Sequence, residues 1–333
     1  MPSFILRRML QLVFVLWGGA TLLFFMFFTL PSDPAEIMAG GNNRVPDPQV
    51  VENIREKYGL DDPIVVQYAH YMGRVVHGDL GKSFRTGESV SDIIKERAPV
   101  SLRLAFWAIT IEVIVGISSG MLSARRRNSV ADSVTTTVAV VASAIPVFVL
   151  GYLMKQITGV YAFQHHWPEW ARFPTREFGP NQWYLGIIPT PEQFQSLIQP
   201  AIVLASVSTA VLARITRTSM LETMRFDHVR TARAKGLREK SVQRRHVLRN
   251  AMLPVVTVIG LDFGTAVGAA VLTETVFNIR GLGSKIVQAA QNQDLPIVLG
   301  LSLFVMLIYG LANLVVDVSY AYLDPRIRLH GEA

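Results

Sequence analysis

The chain of 333 residues contains no cysteine. That absence excludes a disulfide framework, thiolate chemistry and a cysteine-based metal site, and it leaves the redox compartment open. Charge is sparse as well. Asp, Glu, Lys and Arg make up 17% of the residues, against roughly 25% in soluble domains. No GxxxxGK[ST] phosphate loop occurs, so the chain has no Walker A route to ATP. None of the seven histidines falls inside an apolar run, which disfavours an intramembrane enzyme built on a histidine base or a metal cluster. The sequence also shows no solenoid-length repeat and no low-complexity segment.

Apolar residues are plentiful. They form 50% of the chain, the mean hydropathy is +0.32, and they are clustered rather than spread. Such clustering predicts an all-α polytopic membrane protein. The net charge of +7 and a pI near 9.8 do not indicate nucleic acid, because the basic residues sit largely in loops beside apolar runs, the pattern of the positive-inside rule.

In chain order, residues 1–30 hold an N-terminal tail and a first span, Met9–Leu30, preceded by Arg7 and Arg8. A cleaved signal peptide would have a shorter apolar core and a small-residue cleavage site. This run is longer and ends in Pro31-Ser-Asp-Pro, which favours a retained helix. Residues 31–99 are mixed polar, punctuated by Asp33-Pro34, Asp47-Pro48 and Asp62-Pro63, with helical spacing over Val50–Tyr58 and Ile64–Val76. This segment reads as a small extramembrane domain. Residues 100–333 carry the remaining spans: Ser101–Ala124, Ser133–Gly159 interrupted by Pro146, a short Ser196–Ala213, Met252–Thr273 and Pro296–Leu323. Val160–Gln195 reads as an aromatic, Pro-rich outer loop, and Thr275–Leu295 as a re-entrant or surface helix. Six spans place both termini on one side. With that side inside, Arg7, Arg8, Arg125–Arg127, the Arg214–Arg249 segment, Arg326 and Arg328 supply 18 inner Lys and Arg. The segment 31–99 has eight against eleven acids, so charge favours cytoplasmic termini.

One stretch organises the rest. Between Arg214 and Arg249 stand eleven Lys and Arg against Glu222, Asp227 and Glu239. Gly236 is the only Gly or Pro from Arg225 until Pro254, which predicts two short helices meeting at Gly236. Phe226, Val229 and Ala232 recur at spacing three and give the first helix an apolar face. Such a helix lies on a membrane surface or fits a partner's groove. A bare topology anchor is the plainer reading, but eleven charges exceed what orientation needs, and they surround the small residues Ala232, Ala234 and Gly236, which leave a docking surface that a partner can approach closely.

At this point the chain resembles the inner-membrane permeases of ABC importers in the dipeptide/oligopeptide/nickel branch, in particular the B-type subunit. The resemblance rests on RTARAKGL and LRNAMLPVV, and extends through PSDPAE, YGLDDPIVVQY, GDLGKSFRTGESV, Ile145-Pro-Val-Phe-Val-Leu-Gly151, Glu274-Thr-Val-Phe277, Gly281-Leu-Gly283 and Tyr322-Leu-Asp-Pro-Arg-Ile-Arg328. It implies a type I importer permease fold of six transmembrane helices, with an extracytoplasmic domain after the first and cytoplasmic coupling helices within residues 220–250. The family's coupling pattern is Glu-Ala-Ala, three residues, then Gly. Gly236 matches that Gly, and Arg230-Thr231-Ala232 stands in place of Glu-Ala-Ala, which puts in doubt any role needing the Glu. The resemblance thus assigns ATPase coupling to Asp227, Arg230, Thr231, Ala232, Arg233, Ala234 and Gly236. It also implies a second homologous permease, two cytoplasmic ATPases that carry the ATP and Mg, an extracytoplasmic substrate-binding protein, a bacterial inner-membrane location and no cofactor or catalysis in this chain. The cargo it implies is a di- or oligopeptide, with nickel, glutathione or haem-type solutes as alternatives. A membrane scaffold or receptor without a pore is the non-transport reading.

Within the spans, Gly260, Gly264 and Gly268 share one helix face, suited to close helix packing or to a pore-lining strip. Asp262 lies among them. It reads either as an acceptor for a substrate ammonium group or as a hydrogen-bonding partner of a neighbouring helix. Glu112 is a weaker case of the same kind, and Asp317, four residues after Asn313, reads as structural. Gly116-Ile-Ser-Ser-Gly120 spells GxSxG, but it lies in an apolar helix rather than a strand-turn-helix, so it reads as helix packing. His165-His166 has no nearby acid spacing for a metal site.

Overall fold

The computed structural model describes residues 2–28, 35–36, 39, 47–173, 183–184 and 188–323. The Pro31–Pro34 turn, part of the aromatic loop and the tail with Arg326 and Arg328 lie outside them. Helices dominate: α1 (Pro2–Phe28), α2 (Pro48–Tyr58), α3 (Ile64–Val76), α4 (Val90–Arg125) and α5 (Val130–Ala144) lead into α6 (Val147–Gln164), which includes a π-helical turn at Lys155–Tyr161. A two-stranded hairpin, β1 (Trp183–Tyr184) with β2 (Ile188–Pro189), precedes α7 (Pro191–Thr223) and α8 (Asp227–Ala234). Then follow α9 (Glu239–Phe277), α10 (Leu282–Gln291) and α11 (Leu295–Leu323).

Five helices, α1, α4, α7, α9 and α11, are long and apolar enough to cross a bilayer. The third expected span is not a straight helix. It is the pair α5 and α6, bent by 102° where Pro146 starts the second helix. Proline removes a backbone donor and disfavours helix in the residue before it, which leaves Ile145 extended.

Packing settles how that bent pair runs. The Gly116 backbone lies against Leu212, and Gly120 against Ala213 and Thr216, so contacts advance together along α4 and α7 and the two helices are parallel. The chain between them must return. Asp132, near the start of α5, binds Arg217, whereas Thr158 in α6 binds Gln199. These contacts are 18 residues apart on α7, about 27 Å along a helix. The bent pair is therefore one crossing, and the crossings among the described residues number six. Gly116 and Gly120 act as the close-packing residues expected of them. In α9, Gly260 meets Val316 of α11, and Gly264 meets Tyr309 and Asn313. A β-carbon at Gly120 would stand 2.5 Å from the Ala213 carbonyl oxygen, and one at Gly260 would stand 2.5 Å from Val316. Gly268 differs, with nothing within 4 Å, so only two of the three glycines pack.

Two span limits differ from expectation. The fourth span is no 18-residue helix ending before Arg214, because α7 runs 33 residues. Its charge is accommodated by Arg217 pairing with Asp132, and Thr216 and Met220 beyond are fully buried. The region 275–295, expected as one re-entrant or surface helix, divides instead between the end of α9 and the separate helix α10. Glu274 is 0% exposed and accepts hydrogen bonds from Ser101 Oγ (2.5 Å) and the Ser284 N–H (2.9 Å), while Leu282 N–H donates to Ser101 Oγ (2.8 Å). These bonds fix the α10 N-terminus between α4 and α9.

Helices α2 and α3 form where helical spacing places them. Asp47 caps α2 by accepting from the Gln49 N–H (2.9 Å), with Pro48 at the first helical position. Helix α3 packs through Tyr71 with Phe24 of α1 and Leu299 and Leu303 of α11, so it borrows its core from the spans. The loop before α4 is held to the α10–α11 junction by buried Asp294, which accepts from Ser83 Oγ and from the Phe84 N–H (3.2 Å).

Arg8 of α1 pairs with Asp317 of α11 at 3.2 Å, the structural role expected of Asp317. That pair brings the described termini to the same end of the bundle as α8.

Candidate functional site

At that end α8 lies across three spans. Val229 (0% exposed) and Ala232 (5%) insert into a cluster of Ala124 from α4, Met220 from α7, and Val242, Val247 and Ala251 from α9. The floor is tied together by Ser219 Oγ donating to the Ala251 carbonyl (2.8 Å). The Asn250 amide donates to His228 Nε2 (3.1 Å) and to the His246 carbonyl (3.2 Å).

Gly236 ends the helix as its spacing predicts. Its φ is +75°, in the left-handed region that glycine adopts without a β-carbon penalty. The Gly236 N–H donates to the Arg233 carbonyl (2.9 Å) and the Leu237 N–H to the Ala232 carbonyl (3.4 Å), which is the Schellman arrangement. Across this turn the Arg233 guanidinium forks onto Glu239, Nε to Oε2 at 3.0 Å and NH2 to Oε1 at 2.8 Å. This bond raises the guanidinium's pKa above its ordinary value.

Two expectations for this stretch need correction. There are not two short helices. After Gly236 the chain enters α9 at Glu239, passes a π-helical turn at Val242–Val247 and continues without a break, through Pro254, to Phe277. The small residues also do not form one docking surface. Residues two apart on a helix differ by about 200° in direction, so Ala232 faces the spans while Ala234 faces out. Phe226 likewise leaves the apolar face, being 53% exposed. The outward surface includes Phe226, Asp227, Arg230, Thr231, Ala234 and Leu237, and Arg230 pairs with Asp227 only loosely at 3.8 Å.

The site has a support that sequence reading missed. Asp132 is 5% exposed and accepts from Ser123 Oγ, the Asn128 N–H (2.9 Å), Arg217 Nε (2.8 Å) and Arg217 NH2 (2.9 Å). It joins α4, α5 and α7 beside Ala124, the wall of the α8 seat. The available signals were Ser129-x-x-Asp132, a capping-box spacing, and the arginines Arg214 and Arg217 within an otherwise apolar helix. The Glu274 junction was also missed, although its two segments, Glu274–Phe277 and Gly281–Gly283, lie in the quoted stretches.

The other expected residues stand elsewhere. Asp262 lies 23 residues along α9 from Glu239, about 35 Å away by helix rise, and meets Glu112 of α4. Pro146 sits at the bend of the third crossing. His165 stacks on Tyr161 with ring centroids 3.7 Å apart. Among the described residues no group of three or more His, Asp or Glu is arranged to hold a metal.

Residues 116–329 match the family described as binding-protein-dependent transport system inner membrane component, and residues 1–105 match its N-terminal component. The chain is 37% identical to the glutathione transport system permease protein GsiC of Escherichia coli K12, over 98% of this chain and 99% of that one. It is 35% identical to the probable peptide ABC transporter permease protein y4tP of Sinorhizobium fredii, covering 98% and 100%. It is also 35% identical to the dipeptide transport system permease protein DppB of Alkalihalophilus pseudofirmus, covering 98% and 100%. With six apolar crossings and a helix seated across three of them, this multi-pass membrane chain belongs to the binding-protein-dependent transport system inner membrane components, as a dipeptide/oligopeptide-type ABC permease.

Proposed function

We propose that this permease carries di- or oligopeptides into the bacterial cytoplasm by ATP-driven alternating access, with the α8 end in the cytoplasm. The observation that carries the proposal is the seating of α8. Its inner face is locked to α4, α7 and α9, its outer face is open, and the helix that follows runs on to the far end of the bundle. A partner that pushes on α8 therefore moves three crossings together. In this reading two ATPases, which hold ATP and Mg, receive the outer face of α8, a second homologous permease completes the pathway, and a binding protein docks at the end that carries α3 and α10. Cytoplasmic termini are supported by the basic residues gathered at the α8 end, and an inner-membrane location by the description of the family. The ATPases drive transport only by gripping one conformation of the permease more tightly than the other.

Peptide cargo is favoured by the names of the relatives, two of which are described for peptides and a third for glutathione, itself a tripeptide. The test is ATP-dependent uptake of labelled peptides into proteoliposomes containing the complete complex and its binding protein. Uptake that needs this chain and ATP supports the reading. Assembly of the complex with no uptake of any solute would leave a scaffold.

A further inference from the structure

The carboxyl groups of Glu112 on α4 and Asp262 on α9 come within hydrogen-bonding reach of each other. Glu112 is 2% exposed, and its Oε1 has no hydrogen-bond partner. Asp262 is half-buried and borders an open face of α9 that carries Leu261, Thr265 and Ala269. Glu112 lies eleven residues after Ser101 at one end of the bundle and twelve before Ala124 at the other, which puts the pair midway across the membrane. None of the salt bridges among the described residues involves either carboxyl.

Two carboxylates in contact away from water repel, and the contact persists only with a proton or a cation between them. An acid in a span is expensive and is retained where a pathway uses it. Two carboxyls without a third ligand suit a hydrogen-bonding monovalent cation better than a divalent metal, which takes more oxygens. A peptide brings such a cation as its terminal ammonium.

Resting on the peptide reading above, we propose that Glu112 and Asp262 form the site that receives the cargo's ammonium group midway along the pathway. In the empty permease the pair shares a proton. The arriving ammonium takes its place, donating to both carboxyls, and the proton leaves to the water of the pathway. Glu112 thereby joins Asp262 as a specificity-determining residue.

The test compares a dipeptide amide bearing a free amino group with its N-acetyl form, using the reconstituted complex and one binding protein throughout. Because the binding protein is common to all variants, its own preference cancels between them. Replacement of a charge-assisted hydrogen bond predicts that Glu112→Gln and Asp262→Asn each lower the free-amine to N-acetyl uptake ratio about tenfold, whereas Asp262→Glu keeps the preference. A ratio unchanged in both neutral variants overturns the proposal. Infrared spectra of the purified complex supply an arm independent of uptake. A protonated-carboxyl band should be present, vanish in Glu112→Gln, and diminish when the dipeptide amide, but not its N-acetyl form, is added. Absence of the band, or indifference to the amine, overturns the site even where peptides are transported. Failure of wild type to take up any peptide, with the band present and amine-sensitive, counts instead against the peptide reading.

Discussion

Two parallel hydrogen bonds of 2.8 and 2.9 Å join the Arg217 guanidinium to the Asp132 carboxylate. The pair is placed where α4, α5 and α7 meet, next to the seat of α8. Asp132 is almost fully enclosed and Arg217 about a quarter exposed, so the attraction is stronger than in a surface pair, while water at the arginine side keeps it below the value of a fully buried one. Asp132→Asn should lower stability by roughly 2–3 kcal/mol, read as a lower melting temperature of the purified complex. Asp132→Asn combined with Arg217→Gln should cost less than the sum of the single changes, with a coupling of about 1–3 kcal/mol. Additive effects would show that the two side chains act separately.

The Glu274 junction gives a second prediction. Its carboxylate accepts from a hydroxyl and from backbone N–H groups at the start of α10, and Gly281 lies so close that any β-carbon there collides with the carboxyl group. Glutamine offers one acceptor and two donors where only acceptors are wanted. Glu274→Gln should therefore loosen α10 at a cost of about 1.5–3 kcal/mol. ATPase binding at the far end should survive while uptake falls. Proteolysis or thiol accessibility at a cysteine placed at Ala289, which is 2% exposed, measures the loosening, and protection equal to that of the same cysteine beside an intact Glu274 would remove this role.

The contrast between these junctions and the α8 turn shows what a sequence makes legible. Gly236 announces itself because a positive φ is a local demand that one residue type meets best. Spans are legible because the bilayer sets their length and composition. The inward direction of Ala232 was not, since a run of small residues does not say which face meets the protein until neighbouring helices are in place. Asp132 with Arg217 and Glu274 with Ser101 were hidden for another reason. Their partners lie 85 and 173 residues apart, and a charged residue in an apolar run looks like an interruption until its partner is found. The continuation of α9 through Pro254 was likewise masked, because the local rule predicts a break and tertiary packing overrides it.

Topology is tested with single cysteines, which the native chain lacks. Thr86 and Lys240 are both exposed, the first in the loop before α4 and the second at the start of α9. They stand at opposite ends of the bundle. With the α8 end in the cytoplasm, an impermeant thiol reagent added to intact cells, or to spheroplasts where an outer membrane intervenes, should label Thr86→Cys and leave Lys240→Cys untouched until the membrane is opened. The reverse pattern inverts the orientation. Labelling of both, or of neither, contradicts placing residues 86 and 240 on opposite sides.

The coupling prediction concerns Gly236 because the structure separates two effects that a bulky residue would otherwise confuse. Nothing lies within 4 Å of a β-carbon at this position, so the surroundings have room for a side chain and the cost is in the backbone. Holding an ordinary L-residue at φ +75° costs about 1–2 kcal/mol, and most of all for a β-branched one. Asparagine tolerates this region better. The order of coupling should therefore be Gly, Asn, Ala, Val, from most to least. Gly236→Val should weaken the Arg233–Glu239 clasp, tilt α8 in its seat and disconnect the ATPases, while the six crossings remain folded. Ala232→Glu should disconnect them more severely, since it forces a carboxylate into the apolar seat beside Met220 and Val247. Changes at Arg230 should matter less, because its ion pair is exposed and contributes about 0–1 kcal/mol. The measurements are ATPase retained per permease after purification and hydrolysis stimulated by the loaded binding protein. If Gly236→Val and Ala232→Glu both kept full ATPase binding and stimulation, α8 would be no more than an anchor for orientation.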